Sequence, residues 1–219
     1  MPTAERSAFI SYLAPIVAFC IFGTAEEWLP PAWYPIAYGV KIAAVVAALL
    51  TWRVSLRDIQ PSWRVILPSI AIGLMVLAAW IGVDKAVPYP HLGARLGFDP
   101  HVIESENLRI AFVALRLVGL VLVVPVMEEL LWRSFLLRYL SNSDFLQVPI
   151  GVFTPVAFVG MVAASAAVHP EWLVAVIASA AYGLWVQRTK SLFAAIVAHA
   201  STNAGLGCYI IVTRDWKYW

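Results

Sequence analysis

The sequence predicts an all-α fold, a polytopic bundle of about seven transmembrane helices that forms a single integral membrane domain over residues 1–219. Three observations lead to this prediction. Of the 219 residues, 62% are hydrophobic and only 13% are charged, which leaves too little polar surface for a water-soluble protein. Seven apolar stretches approach the roughly 20 residues that a bilayer-spanning helix needs. Basic residues collect in short connections between these stretches.

Uninterrupted apolar runs define the first three spans, which cover Ser7 to Gly23, Pro35 to Trp52 and Val65 to Val83. Lys41 lies near one end of the second span, from which its long side chain can reach the interface. The first run is expected to be an uncleaved span, because no small-residue cleavage site follows it. Prolines and glycines break any regular pattern between Asp84 and Arg109, so this segment is predicted to be a surface loop.

The fourth span is the one that carries several ionisable groups. It begins near Arg109 and continues past Pro125 into Glu128, Glu129 and Arg133. Charged side chains are costly in the hydrocarbon region, and those that persist there usually mark a functional site.

The last three spans cover Pro149 to Val168, Trp172 to Val186 and Leu192 to Val212, with His199 and Asn203 inside the last one. We see no internal repeat. The motif-bearing core of the chain therefore extends over about residues 109–212.

Short basic loops predict the orientation, because such loops remain on the cytoplasmic side. With seven spans, the N-terminus is expected in the cytoplasm and Arg214–Trp219 outside, in what we expect to be a plasma (inner) membrane. The loop that holds Glu26 and Glu27 then lies on the external side. The basic residues of the predicted cytoplasmic loops are Arg53, Arg57, Arg64, Arg138, Arg188 and Lys190.

Six tryptophans fall near predicted span ends, as expected for an aromatic belt at the membrane interfaces. They are Trp28, Trp33, Trp52, Trp63, Trp80 and Trp172.

The acidic pair in the fourth span predicts an internal ion pair and a free carboxylate. Glu129 and Arg133 are four residues apart, so they share a helix face and can pair. Glu128 points about 100° away around the helix and has no partner in the local sequence, which makes it a candidate general base. The alternative is an amphipathic helix end whose charges are solvated at the interface.

Two further polar sites lie in later spans. His169 ends the fifth span before a proline, a position that also suits an interfacial histidine. His199 and Asn203 lie one turn apart and share a face of an apolar helix. Such residues also hold membrane helices together through hydrogen bonds, so this pair is equally compatible with packing.

Taken together, these residues resemble the three motifs of the CAAX prenyl protease and bacteriocin-processing family, also called CPBP or Abi proteins. The motifs are Glu128-Glu129-x-x-x-Arg133, the histidine that ends the next span, and His199-x-x-x-Asn203. The resemblance covers about residues 125–205. One position departs from it, since the family usually has Phe four residues before the second-motif histidine and this chain has Ser165.

The resemblance implies an intramembrane endopeptidase that hydrolyses a peptide bond near the membrane surface. By this resemblance, Glu128 of this chain would activate a water molecule with help from His169, while Glu129 and Arg133 hold the site. The histidine and asparagine of the last motif would stabilise the oxyanion. The implied partners are a peptide or protein substrate, which is lipid-modified in one branch of the family, and membrane lipids. A net charge of +2 gives no indication of nucleic-acid binding.

Three alternatives remain open from the sequence. No cofactor is favoured, but zinc held by Glu128, His169 and His199 would give a metal-dependent version of the same protease. A non-catalytic immunity or scaffold protein would retain the polar core for packing alone. A transporter would use the same acids as a proton relay. A cavity that joins Glu128 to His199 distinguishes an enzyme from a scaffold, which should have filled that space with side chains.

One geometric difficulty follows from the predicted spans. A helix that rises from Pro149 would carry His169 roughly 30 Å along the bilayer normal, far from Glu128. Either the residues before about Val156 lie along the interface or re-enter, or the fourth span is kinked or tilted.

Overall fold

The computed structural model describes residues 3–93 and 97–219, and this part of the chain contains helices and no strands. The predicted all-α class is therefore confirmed. We number the longer helices in chain order and treat the continuous helix through the acidic motif as one element. They are α1 (Thr3–Glu26), α2 (Tyr34–Thr51), α3 (Ile66–Ala86), α4 (Glu106–Ser141), α5 (Pro155–Ala167), α6 (Trp172–Thr189) and α7 (Leu192–Thr213).

Five helices of the described residues are long and apolar enough to cross a bilayer, namely α1, α2, α3, α4 and α7. α5 has 13 residues and extends over roughly 20 Å at 1.5 Å per residue, less than the roughly 30 Å of the hydrocarbon core. The predicted fifth span, Pro149 to Val168, is therefore wrong at its start. Turns occupy the residues before Pro155, and the proline then begins the helix because its fixed φ suits the first helical turn.

The middle of α4 departs from α-helical geometry twice. Segments of π-helix at Gly119–Val123 and Leu130–Leu136 flank a short α-helical stretch, Val124–Glu129, that carries both acids. π-Helical turns are rare and occur often at functional sites. Each one widens the helix locally and changes which side chains face the interior.

At each end of the bundle, hydrogen bonds join segments that the predicted topology places on the same side of the membrane. At the basic end, Arg138 Nη2 donates to Asp58 Oδ2 at 2.7 Å, and Lys190 Nζ donates to the Gly151 carbonyl at 2.7 Å. At the opposite end, Trp172 Nε1 donates to the Pro90 carbonyl at 2.8 Å. Loops predicted to share one side of the membrane therefore lie together.

Contrary to the prediction, the Lys41 side chain does not extend to the membrane interface. Its ammonium is buried and lies 2.5 Å from Glu26 Oε2, so the end of α1 is joined to α2 by an ion pair. The aromatic rings of Phe19 and Tyr38 lie about 5 Å from the same ammonium. Glu26 is correspondingly shielded and is not a solvated loop residue.

α3 and α7 pack closely because α3 presents a glycine at the contact. A Cβ atom on Gly73 would lie only 2.2 Å from the Ala198 carbonyl oxygen, so any other residue would push the helices apart. Thr202 Oγ1 donates to the Gly73 carbonyl at 2.7 Å. α7 carries the His199 motif, so this contact fixes α3 against the site.

Candidate active site

A cavity of about 190 Å³ lies inside the bundle, between α3, α4, α5, α6 and α7. All three sequence motifs contribute to its walls, and so do residues outside them. The motif side chains that line it are Glu128, Arg133, His169, His199 and Asn203. The space that distinguishes an enzyme from a filled scaffold is therefore present between Glu128 and His199.

Glu128 and His169 face each other across this cavity. Glu128 Oε2 lies 3.9 Å from His169 Nε2, which is too long for a hydrogen bond. A water molecule in the adjoining cavity, to one side of the pair, can reach both atoms. His169 Nδ1 lies 2.7 Å from the Ser165 carbonyl, and because a carbonyl only accepts, this nitrogen carries the proton. The lone pair of Nε2 in the neutral ring then faces Glu128.

The late start of α5 brings His169 to the level of Glu128. Ser141 at the end of α4 lies 3.2 Å from Thr154, just before α5, measured between their hydroxyl oxygens. From this shared end, Glu128 lies about 13 residues back along α4 and His169 about 14 residues forward, roughly 20 Å in each case. The geometric difficulty thus disappears, in agreement with the first of the two alternatives.

Glu129 lies behind the cavity wall, fully buried, and bonds with two partners through one oxygen. Arg133 Nη1 donates to Glu129 Oε1 at 3.0 Å, which confirms the predicted pairing. His199 Nδ1 lies 2.9 Å from the same oxygen and donates to it, because a carboxylate only accepts. The acid thus fixes the orientation of the His199 ring and directs Nε2 away from itself.

Arg133 connects α4 to α6 as well as to Glu129. Its Nη2 donates to both the carbonyl and the hydroxyl oxygen of Ser179, at 3.1 and 3.2 Å. The guanidinium therefore fixes the register of two helices, a use that its planar fork of donors suits.

Tyr182 contacts both His199 and Arg133, and the sequence did not identify it as a site residue. Its ring stacks on the His199 imidazole, with centroids 5.2 Å apart and planes at 21°, and lies 5.4 Å from the Arg133 guanidinium. Its hydroxyl donates to Thr202 Oγ1 at 2.6 Å. A lone tyrosine inside an apolar helix is the only signal in the sequence that points to this role.

The Asn203 side-chain amide forms a structural hydrogen bond that the sequence did not reveal. Its Nδ2 donates to the Leu120 carbonyl at 2.9 Å. In the π-helical register, where the Val124 N–H bonds to the Gly119 carbonyl, the partner of the Leu120 carbonyl would be the N–H of Pro125, which proline lacks. Asn203 supplies the missing donor, and its second amide hydrogen remains for other contacts.

Ser165 and Trp80 are among the cavity-lining residues outside the predicted motif positions. Ser165, which stands where the family usually has Phe, is buried and lines the cavity, so a smaller side chain leaves more space beside His169. Trp80 of α3 also lines the cavity. Trp80 is half-buried, whereas Trp28 and Trp63 of the predicted interfacial belt are 84% and 78% exposed.

The zinc alternative named Glu128, His169 and His199 as ligands. Among the residues that the structure describes, no group of three His, Cys, Asp or Glu side chains lies close enough to hold a metal ion. Glu128 and His169 face one another, and His199 bonds to Glu129 through Nδ1, which leaves its Nε2 for other partners. We therefore derive no chemical step through a metal.

Residues 110–205 match the family described as type II CAAX prenyl endopeptidase, Rce1-like. The matched segment contains all three motifs and every motif residue that lines the cavity. Over this segment the chain is similar to the CAAX protease family. No curated protein and no solved structure matches the chain. With five long apolar helices among the described residues and a segment similar to this family, the chain is an integral membrane protein. α3 and Trp80 lie outside the matched segment, although they complete the cavity.

Proposed function

We propose that this protein is an intramembrane endopeptidase that uses Glu128 to activate a water molecule for attack on a peptide bond. The observation that carries this proposal is the 3.9 Å gap between Glu128 Oε2 and His169 Nε2, which opens into a cavity shared with the third motif. The similarity of residues 110–205 to the type II CAAX prenyl endopeptidase family supports a protease.

The two gap atoms suit a water molecule poised for attack. Both the Glu128 carboxylate and the neutral His169 Nε2 accept hydrogen bonds, so one water can donate a hydrogen to each. Its oxygen lone pairs then face away from both acceptors, toward a substrate carbonyl carbon. As the C–O bond forms, Glu128 takes one proton, and it later returns that proton to the leaving amine when the C–N bond breaks.

We propose that the third motif stabilises the oxyanion. His199 Nδ1 already donates to Glu129, so its Nε2 donates only when the ring is an imidazolium, with the buried Glu129 carboxylate as its counter-ion. Asn203 has one amide hydrogen left after its bond to Leu120. Donors fixed in advance inside a protein cavity stabilise a tetrahedral oxyanion strongly. Glu129 and Arg133 act by holding His199 in place.

The name of the matched family suggests the substrate class. We propose a peptide or protein substrate that ends in a prenylated CAAX-type sequence, cleaved near the membrane surface in a plasma (inner) membrane. Surrounding lipids are the other partners, since much of the apolar surface of α1, α2 and α3 is exposed.

Replacing Glu128→Gln tests the proposal. Glutamine preserves the size of the side chain and most of its hydrogen bonds but cannot take a proton from water. Cleavage of a fluorogenic prenylated peptide by the purified protein in liposomes should fall at least about a hundredfold, while the yield and thermal stability of the protein stay the same. The matched control is Glu106→Gln in the exposed first turn of the same helix, which should retain full activity.

Two outcomes would contradict this mechanism in different ways. Full activity of the Glu128→Gln variant would remove the hydrolase assignment and leave a scaffold protein. Activity that is lost on prolonged treatment with a strong zinc chelator and restored only by added metal would replace the water-activating carboxylate with a metal-bound water.

A further inference from the structure

Trp80 lies on the face of α3 that packs against the site. It is seven residues, or about two helical turns, beyond Gly73, where α3 contacts Ala198 of α7. Residues separated by seven positions share a helix face, so the close contact at Gly73 directs Trp80 toward the same interior. The half-buried indole ring accordingly lines the cavity together with Glu128 and His199.

The indole N–H of Trp80 is buried and has no hydrogen-bond partner among the described residues. Two other tryptophan N–H groups have partners, since Trp185 donates to Ser69 Oγ at 2.8 Å and Trp172 donates to the Pro90 carbonyl. The buried N–H groups of Trp132 and Trp219 are also unpaired, but those residues do not line the cavity. Trp80 combines an unpaired donor with a place in the cavity wall.

We propose that the indole N–H of Trp80 donates a hydrogen bond to a backbone carbonyl of the bound peptide substrate. The inference rests on the proposed peptidase function. A buried donor without a partner is costly, and an extended peptide brings carbonyl acceptors into such a cavity. Indole N–H is a donor only and does not titrate, so it binds a carbonyl equally well throughout the working pH range. Trp80 thus acts as a substrate-binding residue supplied by α3, outside the segment that matches the family.

The decisive variant replaces Trp80 by 3-benzothienylalanine, in which sulfur stands where the indole has N–H and the ring shape is nearly unchanged. With a fluorogenic farnesylated CAAX peptide in liposomes, kcat/KM should fall about 3- to 10-fold, as expected for the loss of one neutral hydrogen bond. The thermal unfolding midpoint should not decrease. The same replacement of Trp185, whose N–H bonds within the protein, should lower the unfolding midpoint and leave kcat/KM unchanged.

A binding measurement provides a second readout that does not need catalysis. Protein with ¹⁵N-labelled indoles and the Glu128→Gln substitution is mixed with the same farnesylated peptide, and the Trp80 signal is assigned by comparison with Trp80→Phe. The Trp80 indole proton should shift downfield on peptide addition, whereas the Trp185 signal should not move. The same peptide without its farnesyl group serves as a weaker-binding comparison.

The two proposals fail in different ways. An unchanged kcat/KM in the position-80 variant, or a Trp80 signal that saturating peptide does not move, would overturn the role of Trp80 and leave the peptidase mechanism intact. Full cleavage by Glu128→Gln, or no cleavage of either peptide by the wild-type protein, would overturn the proposed function. In that second case, the nuclear magnetic resonance titration still decides whether Trp80 binds the peptide.

Discussion

Arg133 has the largest share of the bonds that hold the site together. It joins a buried carboxylate on its own helix to a carbonyl and a hydroxyl on α6, and it lies against the ring that stacks on His199. None of these contacts reaches a reacting atom. Arg133 is therefore a positioning residue, and its loss should affect folding as well as catalysis.

Arg133→Ala should lower the yield of folded protein together with its activity. Removal of the guanidinium leaves Glu129 charged in a dry environment with only His199 as partner, at a cost of about 3 to 5 kcal/mol. Arg133→Lys should recover part of the yield, because an ammonium can pair with Glu129 but cannot also reach Ser179 in the same planar arrangement. Size-exclusion yield and thermal unfolding in detergent measure both effects.

The exposed Arg188 on α6 provides the control, since Arg188→Ala removes the same charge without breaking an internal bond. This variant should be produced at the wild-type level. Normal accumulation and full activity of Arg133→Ala would show that the buried ion pair does not support the site.

At the scale of the helix, α4 carries the acids in a short α-helical stretch between two π-helical segments. Pro125 is the local cause of one bond in this arrangement, because its missing N–H leaves the Leu120 carbonyl to Asn203. The third motif thus anchors α7 to the distorted part of α4, and the geometry of the first motif depends on the third.

This dependence predicts a specific coupling between Pro125 and Asn203. Asn203→Ala alone leaves the Leu120 carbonyl buried and unpaired, which should cost about 1 to 3 kcal/mol in unfolding free energy. Pro125→Ala restores a backbone N–H that can bond to that carbonyl. In the double variant, Asn203→Ala should therefore destabilise less than in the wild-type background. Reversible unfolding in mixed detergent with increasing dodecyl sulfate measures the double-mutant cycle.

Thr202→Ala is the matched comparison for the same cycle. Thr202 precedes Asn203 in the chain but bonds to the Gly73 carbonyl of α3, so its effect should add to that of Pro125→Ala. If the unfolding free energies of Asn203→Ala and Pro125→Ala also add, as those of Thr202→Ala and Pro125→Ala do, then the Asn203 hydrogen bond does not replace the one that proline lacks.

Sequence reasoning succeeded where a contact depends on local spacing and failed where it depends on the start or rotation of a helix. The Glu129–Arg133 pair follows from four-residue spacing in any helix and is observed. The depth of His169 does not follow from spacing, because it depends on turns before Pro155. The sequence of those turns is apolar and therefore looks like part of a longer span. Trp80 was assigned to the interface because a tryptophan near the end of an apolar run has the same pattern whether it faces lipid or protein.

At the scale of the whole molecule, two sets of internal contacts define the ends of the bundle. At the basic end, Asp58 accepts hydrogen bonds from Tyr12, Ser134 and Arg138, which joins the α2–α3 connection to α1 and α4. At the other end, the Leu92 N–H donates to the Pro170 carbonyl at 3.0 Å, so the segment after α3 covers the turn that follows His169. The connections of each end are thus fixed to one another, so the folded bundle has a single orientation in which each set of connections lies on one side of the membrane.

The positive-inside rule predicts which way that unit faces. Cysteines introduced one at a time by Arg57→Cys, Trp28→Cys and Pro90→Cys occupy exposed positions at the two ends, in a protein whose native Cys20 and Cys208 are replaced by Ala. A membrane-impermeable maleimide added to intact bacterial spheroplasts should label the variants at Trp28 and Pro90, whereas the variant at Arg57 should react only after permeabilisation, because basic loops remain cytoplasmic. Reversal of all three results would mean that the bundle is inverted with its internal arrangement intact. Equal labelling at Arg57 and Pro90 would contradict the arrangement itself, since a single span, α3, separates these two positions and must place them on opposite sides of the membrane.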